Sequence, residues 1–446
     1  MALFRPRRPA KTATILAAAA LAAGVLTGCG TSSGGAPANA TGALNVWIRG
    51  SGDSLKAYQA IFAAFTKQTG IHIDPFMTLT DFNTKLSAAE AAHKLPDVVI
   101  DNASQLGNYE TQGIIQQIQK SDVADAADLT AQAWTSTTDL HGNIYAVPFS
   151  AQANVLLIRS DWLQKLHLPT PTTWAQVEQD AIAFTKDDPD GDGKADTYGI
   201  AVPGTTASGY ISWWWSSMLW EAGGDYVTAD GGGKYTAALD SPAAVTAAQQ
   251  FEKLACTDKA LQPGFLNDST TVTNKAFQTG QAGMYLTGPY AFATMDATAV
   301  KGKYIAVAPP QGPGSAKTLA EGTSLYTMAG AKTKEALELE SFMTTPQAQT
   351  LGMTAVPTAT VVRLPINKNV DAAAVHHGDT RWALAQQVYA SEGHYEYDSF
   401  PNWTALRQLT STDINAMMAD CAGPGSAMAT LNTQFQAMLQ QQGIAG

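Results

Sequence analysis

The chain has 446 residues, 45% apolar and 15% charged, with 38 Gly and 21 Pro; this excludes disordered, collagen-like and low-complexity classes and supplies chain for about two to four domains. The formal charge is −11, and Arg5, Arg7, Arg8 and Lys11 fall in an N-terminal leader, so the remainder is more acidic still. An acidic chain with no basic stripe argues against nucleic acid as a partner.

In chain order, residues 1–11 form a basic segment and Thr12 to Val25 an Ala/Leu-rich run. Leu26-Thr27-Gly28-Cys29 then matches the bacterial lipobox, small residues before a Cys that is lipidated and becomes N-terminal after cleavage. The alternative, a transmembrane helix, needs about 20 apolar residues against the roughly 15 present. Residues 1–28 are therefore expected to be a lipoprotein signal peptide, with Cys29 the lipidation site and 29–42 a flexible tether. That predicts a soluble monomeric body held by lipid on the extracytoplasmic face of the cell membrane. Cys256 and Cys421 remain, an even number in an oxidising compartment, and predict a disulfide; the alternative is two free buried thiols.

The body opens with a strand, Ala43 to Ile48, and a helix from Asp53 to Thr69 in which Leu55, Tyr58, Ile61, Phe62 and Phe65 recur at three- and four-residue steps. Gly70 stops that helix. A strand at Ile71-His72-Ile73, a helix from Phe82 to His93 and a strand from Pro96 to Asp101 follow, an alternation that predicts a parallel α/β sheet. A second α/β stretch starts after Tyr145 to Phe149: strand Val155 to Ile158, short helix Asp161 to Leu166, and a helix from Pro171 to Lys186 capped by Thr172 or Thr173. Further helices are expected over Pro242 to Leu254, Lys334 to Met343 and Arg381 to Ser391, and strands over Ala282 to Leu286 and Tyr304 to Ala308. Trp403 to Gln441 reads as helical with a break at Gly423-Pro424-Gly425.

Six short motifs, in order, carry a resemblance. Lys94 to Val99 looks like a "PDV" strand, followed by Gly107-Asn108-Tyr109. Tyr145-Ala146-Val147-Pro148 with Asn154 to Leu163 looks like a hinge crossing and its following strand. Pro171-Thr172-Thr173-Trp174, Ala222-Gly223-Gly224-Asp225, and Phe277 to Tyr290 with Gly288-Pro289-Tyr290 complete the set. Together they resemble the extracellular solute-binding proteins of bacterial ABC sugar importers, the maltodextrin-binding group, over nearly the whole body. The resemblance implies an α/β, two-lobed periplasmic-binding-protein-like fold of type II, with the ligand cleft between the lobes and a helical C-terminal extension. Carried over, lobe one is 43–149 plus 309–347 and lobe two 150–308 plus 348–446. It also implies that no catalysis occurs: a carbohydrate, a di- or oligosaccharide, is captured by lobe closure and delivered to membrane permease subunits.

Ligands of parallel sheets sit beyond the carboxyl ends of the strands. Trp47, Arg49, Ser51 and Asp53 after the first strand, and Asp101, Asn102 and Ser104 after the third, are therefore candidates, as are Gln152 and Asn154 at the hinge and Glu321. Carboxylates and amides there can bond adjacent hydroxyls; singly, each is more often a loop or turn residue. Aromatic faces suit the C–H face of a pyranose. In Trp213-Trp214-Trp215 successive side chains rotate by about 100°, so the three cannot all face one core. Trp213 and Trp214 are the candidates from that run. By resemblance Trp213, Tyr290 and Trp403 fall on stacking positions; the alternative for each is an ordinary core aromatic. Asp188, Asp190, Asp192, Lys194 and Asp196 follow a calcium-loop pattern. Its twelfth position is Gly199, where a Glu is usual. A structural calcium ion and an empty, solvated turn are both open. An extracellular glycan hydrolase or lyase is the second functional class, since paired carboxylates are set in three dimensions. A peptide-binding surface lipoprotein is the third.

Overall fold

The computed structural model describes residues 42–421 and 423–446; the leader, the Cys29 lipidation site and all but the last residue of the tether lie outside the described residues. β1 (Leu44–Arg49), β2 (Ile73–Thr78) and β3 (Val98–Asn102) come first, then β4 (Val147–Ala153), β5 (Val155–Arg159) and β6 (Tyr198–Ala201). β7 (Val227–Gly231) and β8 (Lys234–Ala237) form a separate hairpin. β9 (Ala282–Thr287), β10 (Tyr304–Val307), β11 (Thr318–Thr327), β12 (Leu364–Pro365) and β13 (Gly393–Tyr395) complete the set.

These strands make two principal sheets. The larger runs β12-β4-β11-β3-β1-β2, with β13 also on β11; the smaller runs β10-β5-β9-β6. β2, β1 and β3 are parallel, as the alternation of strand and helix predicts, and β11 enters antiparallel between β3 and β4. The chain passes from the larger sheet to the smaller through one residue, Asn154. It returns between β10 and β11 and leaves again between β13 and the Trp403–Asp420 helix.

The local reasons are visible in the sequence. In the Ser54–Thr69 helix Tyr58, Ile61, Phe62 and Phe65 are buried, one apolar stripe against the larger sheet. Gly70 ends it at φ 77°, donating its N–H to Thr66, a left-handed cap that suits a residue without a Cβ. Thr173 caps the Trp174–Lys186 helix through a reciprocal bond pair with Gln176. The tail is two helices, Trp403–Asp420 and Pro424–Gln441, divided where the glycines and proline predict. The Cys256–Cys421 disulfide is formed.

Two segments depart from expectation. The second strand begins at Ile73, not Ile71, because Ile71 belongs to the turn that receives Thr66 Oγ1. Residues 348–389, placed above with lobe two, pack on the larger sheet: β12 pairs with β4, and Val362, Ile366, Trp382 and Val388 join the core beneath β1 and β3. Burial of that apolar run outweighs chain order. Among the described residues no helix is long and apolar enough to cross a membrane.

Candidate functional site

A cavity of about 350 Å³ draws its lining from strands of the larger sheet and from helices packed on the smaller one. Arg49 ends β1. Asn102 ends β3, and Ser104 and Gln105 occupy the short 3-10 turn after it. The reason is topological: parallel strands finish at a common edge, where loops bring side chains together.

Gln152 and Glu321 face each other across the β4–β11 register. Gln152 Nε2 donates to Glu321 Oε2 at 2.7 Å, and Gln152 Oε1 accepts from Arg363 Nη1 at 2.9 Å. One amide thus bridges a carboxylate and a guanidinium. Gly288 follows β9; a Cβ there would meet Gln152 Oε1 and the Tyr290 ring at 2.9 Å. Only glycine lets the two side chains approach this closely. Tyr290 receives the Thr287 hydroxyl at 2.9 Å, and the Arg363 guanidinium lies 5.2 Å from its ring centroid. Part of the ring is therefore covered by a cation.

The opposite side is helical. Ser208 comes from the Ala207–Gly209 turn, Tyr210 and Trp213 from the start of the Tyr210–Glu221 helix that follows it, and Thr404, Arg407 and Gln408 from one face of the Trp403–Asp420 helix. Asn83 and Thr270 also belong to the lining. Trp213 Nε1 is buried without a hydrogen-bond partner among the described residues, a donor that a ligand oxygen or water would satisfy.

Behind the cavity, Arg407 donates to Glu396, which also accepts from Trp403 Nε1 at 2.9 Å. A recess of about 10 Å³, walled in part by Glu321, Glu396, Asp398 and Arg407, continues from it, room for about one water. Burial pushes the Asp398 carboxyl well up, against the pull of Arg407 and with the help of Glu396 and Glu321. Burial also raises Asp101, against Arg49 and the hydrogen bond from Tyr109.

Of the residues expected at the site, Arg49, Asn102, Ser104, Gln152, Trp213, Tyr290 and Glu321 line the cavity. Asp101 does not: it is buried behind Arg49, 3.8 Å from Nε, and accepts from the Tyr109 hydroxyl at 2.6 Å. Its role is to hold Arg49. Trp47 packs on Phe76 in a side core. Ser51 and Asp53 are exposed in the loop before the first helix, with Asp53 paired to Lys56. Asn154 is buried at the crossing. Trp214 lies in the core against Trp174 and Phe251, and Trp403 against Tyr226 and Phe435, because the helices that carry them turn these faces inward. Arg363, Arg407, Tyr210, Thr404 and Gln408 were not anticipated.

In the Asp-rich loop, oxygens of Asp188, Asp190 and Asp192 lie within 4.8 Å of one another. Gly191 and Gly193 donate to the Asp188 carboxylate at 3.0 and 3.2 Å. The three carboxylates fit a hard, oxygen-preferring cation. The Lys194 ammonium lies 2.6 Å from the Asp192 carboxylate and balances its charge; Asp196 is exposed outside the cluster.

A family model described as bacterial extracellular solute-binding protein matches residues 50–350. The polygalacturonan/rhamnogalacturonan-binding protein YtcQ of Bacillus subtilis (strain 168) is 30% identical over 222 residues, 45% of this chain and 41% of that one. The fructooligosaccharide ABC transporter substrate-binding protein FusA of Streptococcus pneumoniae is 28% identical over 156 residues, 30% of this chain and 29% of its own. The matched stretch thus spans less than half the length of these curated relatives. Among solved structures, maltose-bound T. maritima MalE3 superposes with a TM-score of 0.75 at 20% identity, covering 89% of this chain and 99% of that one. A solute-binding protein from Thermotoga lettingae bound with α-D-tagatose gives 0.75 at 18% identity, again over 89% and 99%. At such identities the likeness establishes the fold.

Proposed function

From the premise that this chain belongs to the bacterial extracellular solute-binding protein family, we propose that it is a receptor that captures a carbohydrate between two lobes and delivers it to an ABC importer. The observation that carries the reading is the composition of the cavity. Tyr210, Trp213 and Tyr290 offer aromatic surface beside Asn102, Gln152 and Glu321, which can accept or donate to hydroxyls. The sugar-binding names of the relatives support the same class. The single-residue crossing at Asn154 supports lobe closure, since few dihedrals need to change there.

Catalysis is not part of this reading. Among the described residues Glu321 is the one carboxylate lining the main cavity, whereas glycoside hydrolysis generally uses two that flank the scissile bond. Lipid attachment at Cys29 belongs to the reading and is tested by Cys29→Ala, which should leave the membrane fraction. A structural calcium ion at the Asp-rich loop belongs to it as well; calorimetric titration with calcium reads it directly.

The central experiment is a melting screen of the purified protein against a sugar panel. A ligand bound only by the native state raises the midpoint by mass action, by an amount equivalent to about 2.7 kcal/mol at a hundredfold excess over Kd. Saturable binding of unchanged sugar supports the receptor. Release of shorter products would replace it with the hydrolase, and silence across the panel would remove carbohydrate as the ligand.

A further inference from the structure

The charge arrangement of the cavity extends the sugar-receptor reading and rests on it. Among the described residues three guanidiniums line the cavity, those of Arg49, Arg363 and Arg407, against the single carboxylate of Glu321. Of the other nearby acids, Glu396 and Asp398 wall only the small recess behind the cavity, beside Arg407. Asp101 is buried behind Arg49, and Glu396 holds Arg407 from the core side. A ligand in the cavity therefore meets cationic heads whose counter-charges are on the far side.

Arg363 differs from the other two. Among the described residues it has no salt-bridge partner: its side chain gives one N–H to the Gln152 amide oxygen and rests by the Tyr290 ring. Its Nε and Nη2 have no protein partner among the described residues. Glu321 is bonded to the same amide from the other end, so Gln152 holds the two charges near each other without joining them. An uncharged sugar would leave this fork with hydroxyls alone. A carboxylate or phosphate can take two parallel N–H bonds from it, the stronger and more directional arrangement.

We propose that the physiological sugar is anionic, bearing a carboxylate or a phosphate ester, and that Arg363 binds the anion while Gln152, Glu321 and Asn102 take hydroxyls. The ligand class is then a uronate-containing oligosaccharide or a sugar phosphate, both read by the same guanidinium.

The test is calorimetry on the full chain with matched pairs: digalacturonate against galactobiose, and glucose 6-phosphate against glucose. One acid is expected to bind at least about tenfold more tightly than its neutral partner, with affinity falling as salt rises. Which pair shows the preference identifies the source of the charge. Arg363→Gln is expected to weaken the acid about 10- to 100-fold, the scale of a hydrogen bond to a charged group, and the neutral partner by a clearly smaller factor. Arg363→Lys should recover part of the loss, because it restores charge without the fork. Neutral sugars binding as well as both acids, or an unchanged acid affinity in Arg363→Gln, would overturn the anion assignment and leave the receptor standing. No binding in either pair would overturn the anion assignment, and only silence across the wider panel would take the receptor with it.

Discussion

The two walls of the cavity are built on different terms. The wall on the larger sheet presents Arg49, Asn102, Gln152, Glu321 and Arg363; Gln152 bonds singly to Glu321 and to Arg363, and Arg49 has a loose ion pair with Asp101 behind it. The helical wall presents Trp213 and Arg407, and each belongs at the same time to a packed interior: Trp213 beside Trp214 in the second core, Arg407 in a buried cluster with Glu396 and Asp398. Groups on the sheet wall can be exchanged with little loss of fold. On the helical wall, binding and stability share residues.

The sharpest way to break this contrast is Arg407→Leu. Removing one member of a buried ion pair leaves Glu396 uncompensated, and an unfolding free energy lower by about 3–5 kcal/mol is expected, with loss of ligand binding. Denaturant melts read it; a change as small as that of a sheet-wall variant would erase the distinction. Next come two neighbours on one helix. Trp214→Ala should cost about 3–5 kcal/mol of stability through the cavity it opens. Trp213→Ala should chiefly weaken sugar binding, by about 1–3 kcal/mol, and cost less stability. If melting and titration rank the two the other way, the cavity wall has been misplaced by one residue.

A pH-dependent test sharpens the comparison from the sheet side, away from the cavity. Glu340 is buried with Thr327 donating to Oε1 and nothing on Oε2 among the described residues. Burial pushes its carboxyl up to about 8. The folded state therefore keeps a proton that the unfolded chain loses near pH 4.5, and stability falls as pH rises from about 4.5 towards 8, by at most about 1.4 kcal/mol per pH unit. Glu340→Gln should flatten that slope without touching sugar affinity, measured as melting midpoint and Kd across the same pH range.

The sheet wall was the more legible of the two in sequence. Arg49, Asn102 and Ser104 follow strands whose alternation with helices marks a parallel sheet, and the ends of such strands converge. Gln152 is marked by the hinge crossing, but Glu321 is 169 residues away, and their bond is a product of strand pairing. Arg363 had no local signal, since β12 has two residues and owes its place to β4. On the helical side, the sequence could say that three successive tryptophans point three ways but not which way is out. Thr404, Arg407 and Gln408 recur at three- and four-residue steps on a helix that also buries Leu406, Thr410 and Ile414; that polar stripe was a signal available and unused. Trp403 turns inward because Glu396 receives its indole N–H, a contact no spacing rule reveals.

The position of β11 has a consequence for the order in which the molecule can be made. It lies between β3 and β4 and carries β13 as well, yet it is residues 318–327. Until that segment exists, the first 102 residues can form three parallel strands but have nothing to join them to the fourth. The middle of the sheet arrives late, and its neighbours come from both ends of the chain. Loop-closure entropy is met before the pairing that offsets it, so refolding from denaturant should be slow for the size of the lobe. For a chain of an extracellular family, the same order leaves the central sheet open until residues 318–327 have been made.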